Sequence, residues 1–566
     1  MEDKRTLLAF LFIGLIFLLL PFYNEWLGLN PKPQPPSQES VPEVAPVAEE
    51  QAEPERIRDP ELVEQLHSEE PAPVQAQVVE RVESAENPSF ISEEGADTIV
   101  VQTPLQRFKV STKGGTIISC KLLKYRHIDG DDIELLPLTG SGLGIHLQRA
   151  NDREDISSAE FVANQSSLQI GPGEERSLSM EAELGGGRRL EKVLTFNGDR
   201  YGFDLQVRYE GFDDDTEAIL TWENGIAFTE KPEIDLPEMR AFAYINEERV
   251  ELKVDDEESD ELEDKGLLKW AGIRNKYFLI SFVPADREQR SRVVLQGDHQ
   301  GSRPEYSFQL GRRLERSGSW HNIIYLGPLN YDELIGYEAE LEQAIDFGWP
   351  IVSQISRFLL ILFIATHQYV PNYGWIIVLF AVVIKILVYP LTHKTYESAA
   401  KMQEIQPKIT ALREKYKNDN QRLSRETMKL YKEEGVNPLS GCLPLLLQMP
   451  IFIALYNLFG KTIELRQAPF TLWIQDLSLP DELLIGGFGL HVLPLLMAVS
   501  MLIQQKMTMK DPKQAVLVYM MPVVMIFIFW NMSSGLVLYW TIFNVLTIGQ
   551  QLLVNHFKKE AAPSST

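Results

Sequence analysis

Apolar residues follow three successive rhythms along this chain. A continuous apolar run, Leu7–Leu20 extended to Leu29, opens it and is long enough to cross a bilayer. Tyr23 and Trp26 suit an interfacial belt, and no small-residue cleavage site follows. We read an uncleaved anchor over 1–30, with a signal peptide as the alternative. Residues 31–96 are rich in Pro, Glu, Gln, Ser and Val without periodicity and read as a disordered linker. From Asp97 to about Leu326 the pattern alternates, as in Arg107-Phe108-Lys109-Val110-Ser111. Gly114-Gly115 turns the chain into Thr116–Leu123. Lys192–Phe196 and Tyr201–Arg208 predict a hairpin around Asn197-Gly198, a dipeptide suited to a type I′ turn. Ala218–Trp222, Tyr277–Val283, Arg292–Gln296 and Ile323–Leu326 are further strands, so a large β-sandwich is expected over 97–347. The acidic run Asp255–Asp264 reads as a solvated loop, and Leu334–Phe347 as a short terminal helix.

The third rhythm is helical. Over 348–372, Ile351, Ile355, Phe358, Leu359 and Leu362 recur at helical spacing, and Ser353, Gln354, Ser356 and Arg357 fall largely opposite. This predicts an interfacial amphipathic helix anchored by Trp349. Five blocks near spanning length follow within 373–556: Tyr373–Thr392, Leu439–Phe459, Gly489–Gln505, Ala515–Asn531 and Ser534–Asn555. The overall expectation is a polytopic α-helical membrane protein with six transmembrane helices and a large β-sandwich domain. Between the first two late blocks, residues 393–438 repeat Met402, Ile405, Ile409, Leu412 and Tyr416. A turn at Lys417-Asn418-Asp419-Asn420 leads to a second helix from Gln421 to Glu434, stopped by Gly435. The result is an amphipathic hairpin, either packed on itself or serving as a docking platform.

Charge then orients these elements. The chain carries 54 Lys+Arg and 80 Asp+Glu, a net of −26. From residue 346 onward there are 19 basic and 14 acidic residues, leaving 35 and 66 before it, so the net is +5 in one part and −31 in the other. This split excludes a single soluble globule and a global positive field, and with it specific nucleic-acid recognition. Lysines and arginines concentrate in 393–438, in Gln504–Gln514 and in the tail 557–566, whereas Gly460–Phe488 is acidic on balance. The positive-inside rule places the basic loops and both termini in the cytoplasm and the β-domain outside, in the periplasm of a bacterial inner membrane. Two cysteines, Cys120 and Cys442, are too few for a disulfide framework or a zinc module.

Lys385 is the ionisable residue deep in a late block. It lies 12 residues beyond Tyr373 and 7 before Thr392, roughly 18 Å and 10 Å along a helix. No carboxylate occurs in the five late blocks to pair with it. An unpaired ammonium in hydrocarbon costs a few kcal/mol, so Lys385 either snorkels or faces a water-filled cavity. Gln448 and the stripe Tyr539, Trp540, Asn544, Thr547 and Gln551 are candidate lining, or else interhelical hydrogen-bonding groups. Nine of the 14 methionines lie after residue 439, among them Met449, Met521 and Met525. Methionine suits irregular apolar partners. Gly460-Lys461-Thr462 lacks the upstream P-loop glycine, and neither HExxH nor Gly-x-Ser-x-Gly occurs. No catalysis, cofactor or metal is expected.

Tyr389-Pro390-Leu391-Thr392, Gln406-Pro407-Lys408-Ile409, Asn437-Pro438-Leu439, Gly441-Cys442, Pro444-Leu445-Leu446 and Gln448-Met449-Pro450-Ile451-Phe452 resemble motifs of the Oxa/YidC/Alb insertase family. So do Glu464-Leu465-Arg466-Gln467-Ala468-Pro469-Phe470, Leu472-Trp473-Ile474 and Ser534-Gly535-Leu536-Val537-Leu538-Tyr539. The resemblance implies a five-helix insertase core with a hydrophilic groove, and a supersandwich-like β-domain. It also implies nascent membrane proteins as clients, with the Sec translocon, the ribosome (weakly, given the short tail) and membrane lipids as partners. In that reading Lys385, Gln448, Tyr539, Trp540, Asn544, Thr547 and Gln551 line the groove. Met449, Phe452, Met521 and Met525 form a slide for the client helix. Lys385 stands where the family normally has arginine, Ala381 where threonine is frequent, and Met532-Ser533 where Phe-Pro is usual. The competing classes are a solute transporter, for which no internal repeat of spans is visible, and an anchored carbohydrate-binding protein using His127, His146, His299 or His321.

Overall fold

A computed structural model describes residues 98–561, except 150–151, 256–257, 288–289, 300, 302, 436–442 and 509–514. The expected anchor and linker lie outside the described residues.

Nineteen strands form the β-domain among the described residues. One sheet carries Gln106–Ser111, Gly142–Arg149, Thr216–Trp222 and Glu305–Arg313. The other carries Arg189–Asn197, Gly202–Glu210, Phe278–Pro284 and Ser317–Pro328. Alternation puts every second side chain inward, which is why the period-two segments form these strands. Phe108 of the first sheet meets Phe196 and Phe203 of the second at 5.2 and 5.6 Å between ring centroids. Phe308 meets Phe282 at 4.6 Å, and all five rings are buried.

Three local expectations need correction. The hairpin exists, with Phe196 opposite Phe203, but six residues connect the pair rather than a two-residue type I′ turn. Neither Asn197 nor Gly198 has positive φ, and the Asn197 side chain instead accepts from Asp199 N–H at 2.9 Å. The acidic run is not all loop. From Ser259 it belongs to the strand Ser259–Arg274, which pairs with Arg290–Asp298 in one sheet and with Arg240–Ile245 in the other. One of its carboxylates has a cross-strand cation, where Arg292 grips Glu263 with two 3.0 Å bonds, and Glu261 accepts from Gln296 across the same pair at 2.8 Å. The helix expected over Leu334–Phe347 is broken into Tyr331–Ile335 and a 3₁₀ turn, Leu341–Ala344. Glu338 and Glu340 between them have φ of 51° and 57°, which no right-handed helix accommodates.

Among the described residues eight longer helices follow: α1 Pro350–His367, α2 Tyr373–Glu404, α3 Gln406–Lys415, α4 Asn420–Glu433, α5 Leu443–Lys461, α6 Val492–Thr508, α7 Ala515–Phe529 and α8 Ser534–Ala561. Among the described residues α1, the Tyr373–Pro390 part of α2 and the Ser534–Val554 part of α8 are long and apolar enough to cross a membrane. The α1 helix, expected in the interface, packs Val352, Leu359, Leu360 and Phe363 inward. Its Ser356, expected on the polar side, is buried and donates to the Ala454 carbonyl of α5 at 3.2 Å. Beyond Pro390, α2 runs on without a break and leads to the α3–α4 hairpin. There Ile405 and Ile409 are buried against Met402, Leu430 and Tyr431 as a small separate core. Asp419 caps α4 by accepting from Arg422 N–H at 2.9 Å, and Gly435 ends it at φ 63°.

Candidate functional site

The bundle has two chemically different ends. Toward the β-domain it is dry. Ile377, Phe380 and Ala381 of α2, Ala454, Leu455, Leu458 and Phe459 of α5, and Leu536 and Tyr539 of α8 are all buried. Phe363 packs between Phe380 and Phe459 at 5.5 and 5.7 Å, so the seam is mostly aromatic and aliphatic and carries no charged side chain among the residues named here.

Lys385 lies one helical turn beyond Ala381, away from the β-domain. Its side chain does not snorkel to the surface; the residue is 8% exposed. The ammonium donates to Thr547 Oγ1 at 2.7 Å, and that hydroxyl in turn donates a hydrogen bond to the Phe543 carbonyl at 2.7 Å. The Phe543 ring centroid stands 4.7 Å from Nζ, in cation–π range. An ammonium carries three donors, and one is met here by a protein acceptor. Among the described residues no carboxylate is within ion-pair reach of it.

The other candidates divide among different neighbours. The Gln448 amide faces the buried Tyr539 hydroxyl. That hydroxyl makes no hydrogen bond of sound geometry. Asn544 donates to Ser500 Oγ of α6 at 3.3 Å, and Gln551 to the Met507 carbonyl at 3.3 Å. Trp540 belongs to an aromatic cluster, 5.0 Å from Phe452 and 5.6 Å from Phe529. The expected stripe is therefore not one lining: Thr547 turns to Lys385, Asn544 and Gln551 turn to α6, and Trp540 turns to α5 and α7. Of the expected slide residues, Met449, Phe452 and Met521 are half-buried, while Met525 is buried in the bundle core. The outward face of α7 is instead Tyr519, Met520, Val523 and Phe527.

Ser500, Phe543, Gln505 and Gln550 join the site in the folded chain although none stands among the candidates named from the sequence. Among the described residues, Gln505 Oε1, both amide atoms of Gln550 and Gln551 Oε1 are buried without a hydrogen-bond partner near the hairpin end of α6 and α8. Glutamine pairs inside apolar helices, Gln504-Gln505 and Gln550-Gln551, were the available signal. Among the described residues no group of His, Cys, Asp or Glu could hold a metal. In the β-domain His146 meets two acids, Asp155 and Glu223 at 3.2 Å each, and His127 meets one, Asp129 at 3.4 Å.

The β-domain is docked on the bundle through charge. Arg466, in the loop after α5, is buried with Glu230 of the β-domain and donates to the Arg126 carbonyl at 2.9 Å. Lys461 sits between Asp346 at 3.1 Å and Glu238 at 3.6 Å. Burial alone would raise the Glu238 carboxyl; Lys461, then Arg274 and Arg240, overcome this and bring it to about 2. Asn457 of α5 donates to the Phe347 carbonyl at 2.9 Å.

Two family models match this chain: the 60Kd inner membrane protein over residues 365–561 and the YidC periplasmic domain over 98–362. A membrane protein insertase YidC of Chlorobaculum parvum is 30% identical and covers 98% of this chain and 94% of the relative. One from Syntrophus aciditrophicus is 33% identical over 98% of this chain and 99% of the relative. One from Geobacter sulfurreducens is 36% identical over 80% and 85%.

Proposed function

The chain belongs to the YidC family of inner-membrane insertases, a family without enzymatic activity, and from that premise we propose how its bundle handles a client. Nascent membrane proteins are the substrates. A short hydrophilic client segment enters between α2, α6 and α8 from the end that bears the basic hairpin, which lies in the cytoplasm together with both termini. Lys385 attracts acidic residues of that segment. Gln448, Asn544, Thr547 and Gln551, with the unpartnered amides of Gln505 and Gln550, supply polar contacts that lower its transfer cost. The dry seam around Phe363, Phe380 and Phe459 seals the opposite end. The client's apolar helix then leaves along α5 and the Tyr519, Met520, Val523 and Phe527 face of α7. Burial of that helix in lipid drives the step, and no nucleotide is needed. The Sec translocon, the ribosome and lipids are partners in this scheme, and the hairpin is the docking platform.

The observation that carries the reading is a buried ammonium held by one hydroxyl and one ring, with no carboxylate beside it among the described residues. A charge kept in that state is costly unless it is used. In proteoliposomes Lys385→Ala should reduce insertion of clients with acidic translocated tails several-fold, and Lys385→Arg should retain it. Equal insertion of those clients by the alanine variant would refute the charge role.

A further inference from the structure

The loop between α5 and α6 ends in a two-stranded hairpin. Leu483–Ile485 pairs with Phe488–Leu490, and Ile485 stands opposite Phe488. Gly486 and Gly487 make the turn with φ of 62° and 86°, values a two-residue hairpin turn of this hand requires. The pairing puts Leu483, Ile485, Phe488 and Leu490 on one face and Leu484 on the other. Leu484, Ile485 and Phe488 are 70%, 58% and 68% exposed. Neither strand contains a charged residue.

An isolated two-stranded hairpin is marginal in water, and large apolar groups at its tip make it worse. Here its base is fixed. The buried carboxylate of Asp481 accepts from Val492 N–H at 2.8 Å, Leu493 N–H at 2.9 Å and Trp473 Nε1 at 2.9 Å. The same side chain therefore caps α6 and closes the hairpin. The His491 ring, edge-on to Trp530 at 4.7 Å, secures the other side of the base. The hairpin thus springs directly from the β-domain end of α6. That shorter apolar helix exposes Leu496, Val499 and Ile503 at steps of three and four, the stripe that would face lipid if α6 crosses the bilayer with the rest of the bundle. One residue, His491, joins the hairpin to the β-domain end of α6. Leu472, in the same loop, is held outward at 81% exposure and φ 59°.

We propose that the Leu483–Leu490 hairpin is a foot that dips into the outer leaflet of the bilayer and is covered there by lipid. Its occupant is lipid because the exposed tip, Leu484, Ile485 and Phe488, is wholly apolar and joins directly onto the apolar helix α6, while the nearest charge, Glu482, lies at the base beside Gly489. The foot fixes the depth of the α5–α6 loop, which also carries Arg466, the residue that docks the β-domain. This inference does not depend on the role of Lys385.

The test is depth measurement on the full chain in phosphatidylethanolamine/phosphatidylglycerol vesicles. Spin labels are placed singly at Phe488→Cys and Ile485→Cys in a Cys120→Ser, Cys442→Ser background that retains insertion activity. Molecular oxygen should relax both labels several-fold more than an aqueous nickel chelate does, with the order reversed for a label at the exposed Glu183 of the β-domain. Greater relaxation by nickel would place the hairpin in water and overturn the proposal. Protection from both reagents would mean that protein covers it, a second copy or a partner, and would equally overturn it.

Discussion

Removing the carboxylate of Glu230 should undock the β-domain from the bundle. Glu230 is 9% exposed and its partner Arg466 also 9%, so both charges are taken out of water. At contact distance and an effective dielectric near 20 the attraction is about 4 kcal/mol. Desolvation costs several kcal/mol for each ion. The balance is visible in the acid itself: burial pushes the Glu230 carboxyl above its usual range, further than Arg466 draws it down. A carboxyl raised in the folded state contributes stability at low pH that is lost as pH rises through its folded value. The intact pair therefore adds little net stability at neutral pH, yet breaking one side strands a charge, which costs about 3–5 kcal/mol. In Glu230→Ala the guanidinium keeps the Arg126 carbonyl and the rings of Tyr277 and Phe278, 5.8 and 5.9 Å away. The lower end, about 3 kcal/mol or roughly a hundredfold in docking, is expected. Glu230→Gln combined with Arg466→Met should cost under about 1 kcal/mol, because no lone charge remains. Hydrogen exchange across residues 463–478 of the full chain in micelles reads the opening. If single and paired variants lose protection additively, with coupling below about 0.5 kcal/mol, the pair does not hold the domains together.

Three further outcomes follow from the same geometry. Glu464 is raised to about 7, first by burial and further by Asp332, and its Oε2 lacks a partner; stability should fall as pH rises from about 4.5 to 7, and thermal unfolding of Glu464→Gln should lose that slope. Lys192, fully buried, donates to the carbonyls of Gly114, Gly115 and Leu143 at 2.7, 3.1 and 2.7 Å; Lys192→Met fills the space but leaves those acceptors unmet, and should cost about 2–4 kcal/mol in denaturant unfolding of the β-domain. Asp481→Ala should cost about 1 kcal/mol for the lost α6 cap and more for the stranded Trp473 N–H, read as faster exchange at Val492 and Leu493, while Asp481→Asn should retain most of the protection.

Much of this protein was legible before any coordinate. Alternation marked the strands, helical spacing and apolar length marked the bundle, and Asp419 and Gly435 marked the ends of a hairpin helix. These features are local, since each depends on residues within one or two turns or strand repeats of each other. The placement of Lys385 in an apolar block was equally plain, as was the lack of a carboxylate to meet it. The tertiary structure decided what that lysine touches. Its acceptor Thr547 is 162 positions away, and only the packing of α2 on α8 brings the two within 2.7 Å. Packing also split the expected stripe, because residues spaced three and four apart share a broad helix face that four neighbouring helices, α2, α5, α6 and α7, divide. It turned Met525 inward, and it made a strand of the acidic run from Ser259 onward, since its cross-strand partner Arg290–Asp298 is distant in the sequence, with Arg292 lying 29 positions from Glu263. Long-range pairing, whose entropy and desolvation depend on the whole fold, is the part that no local pattern encodes.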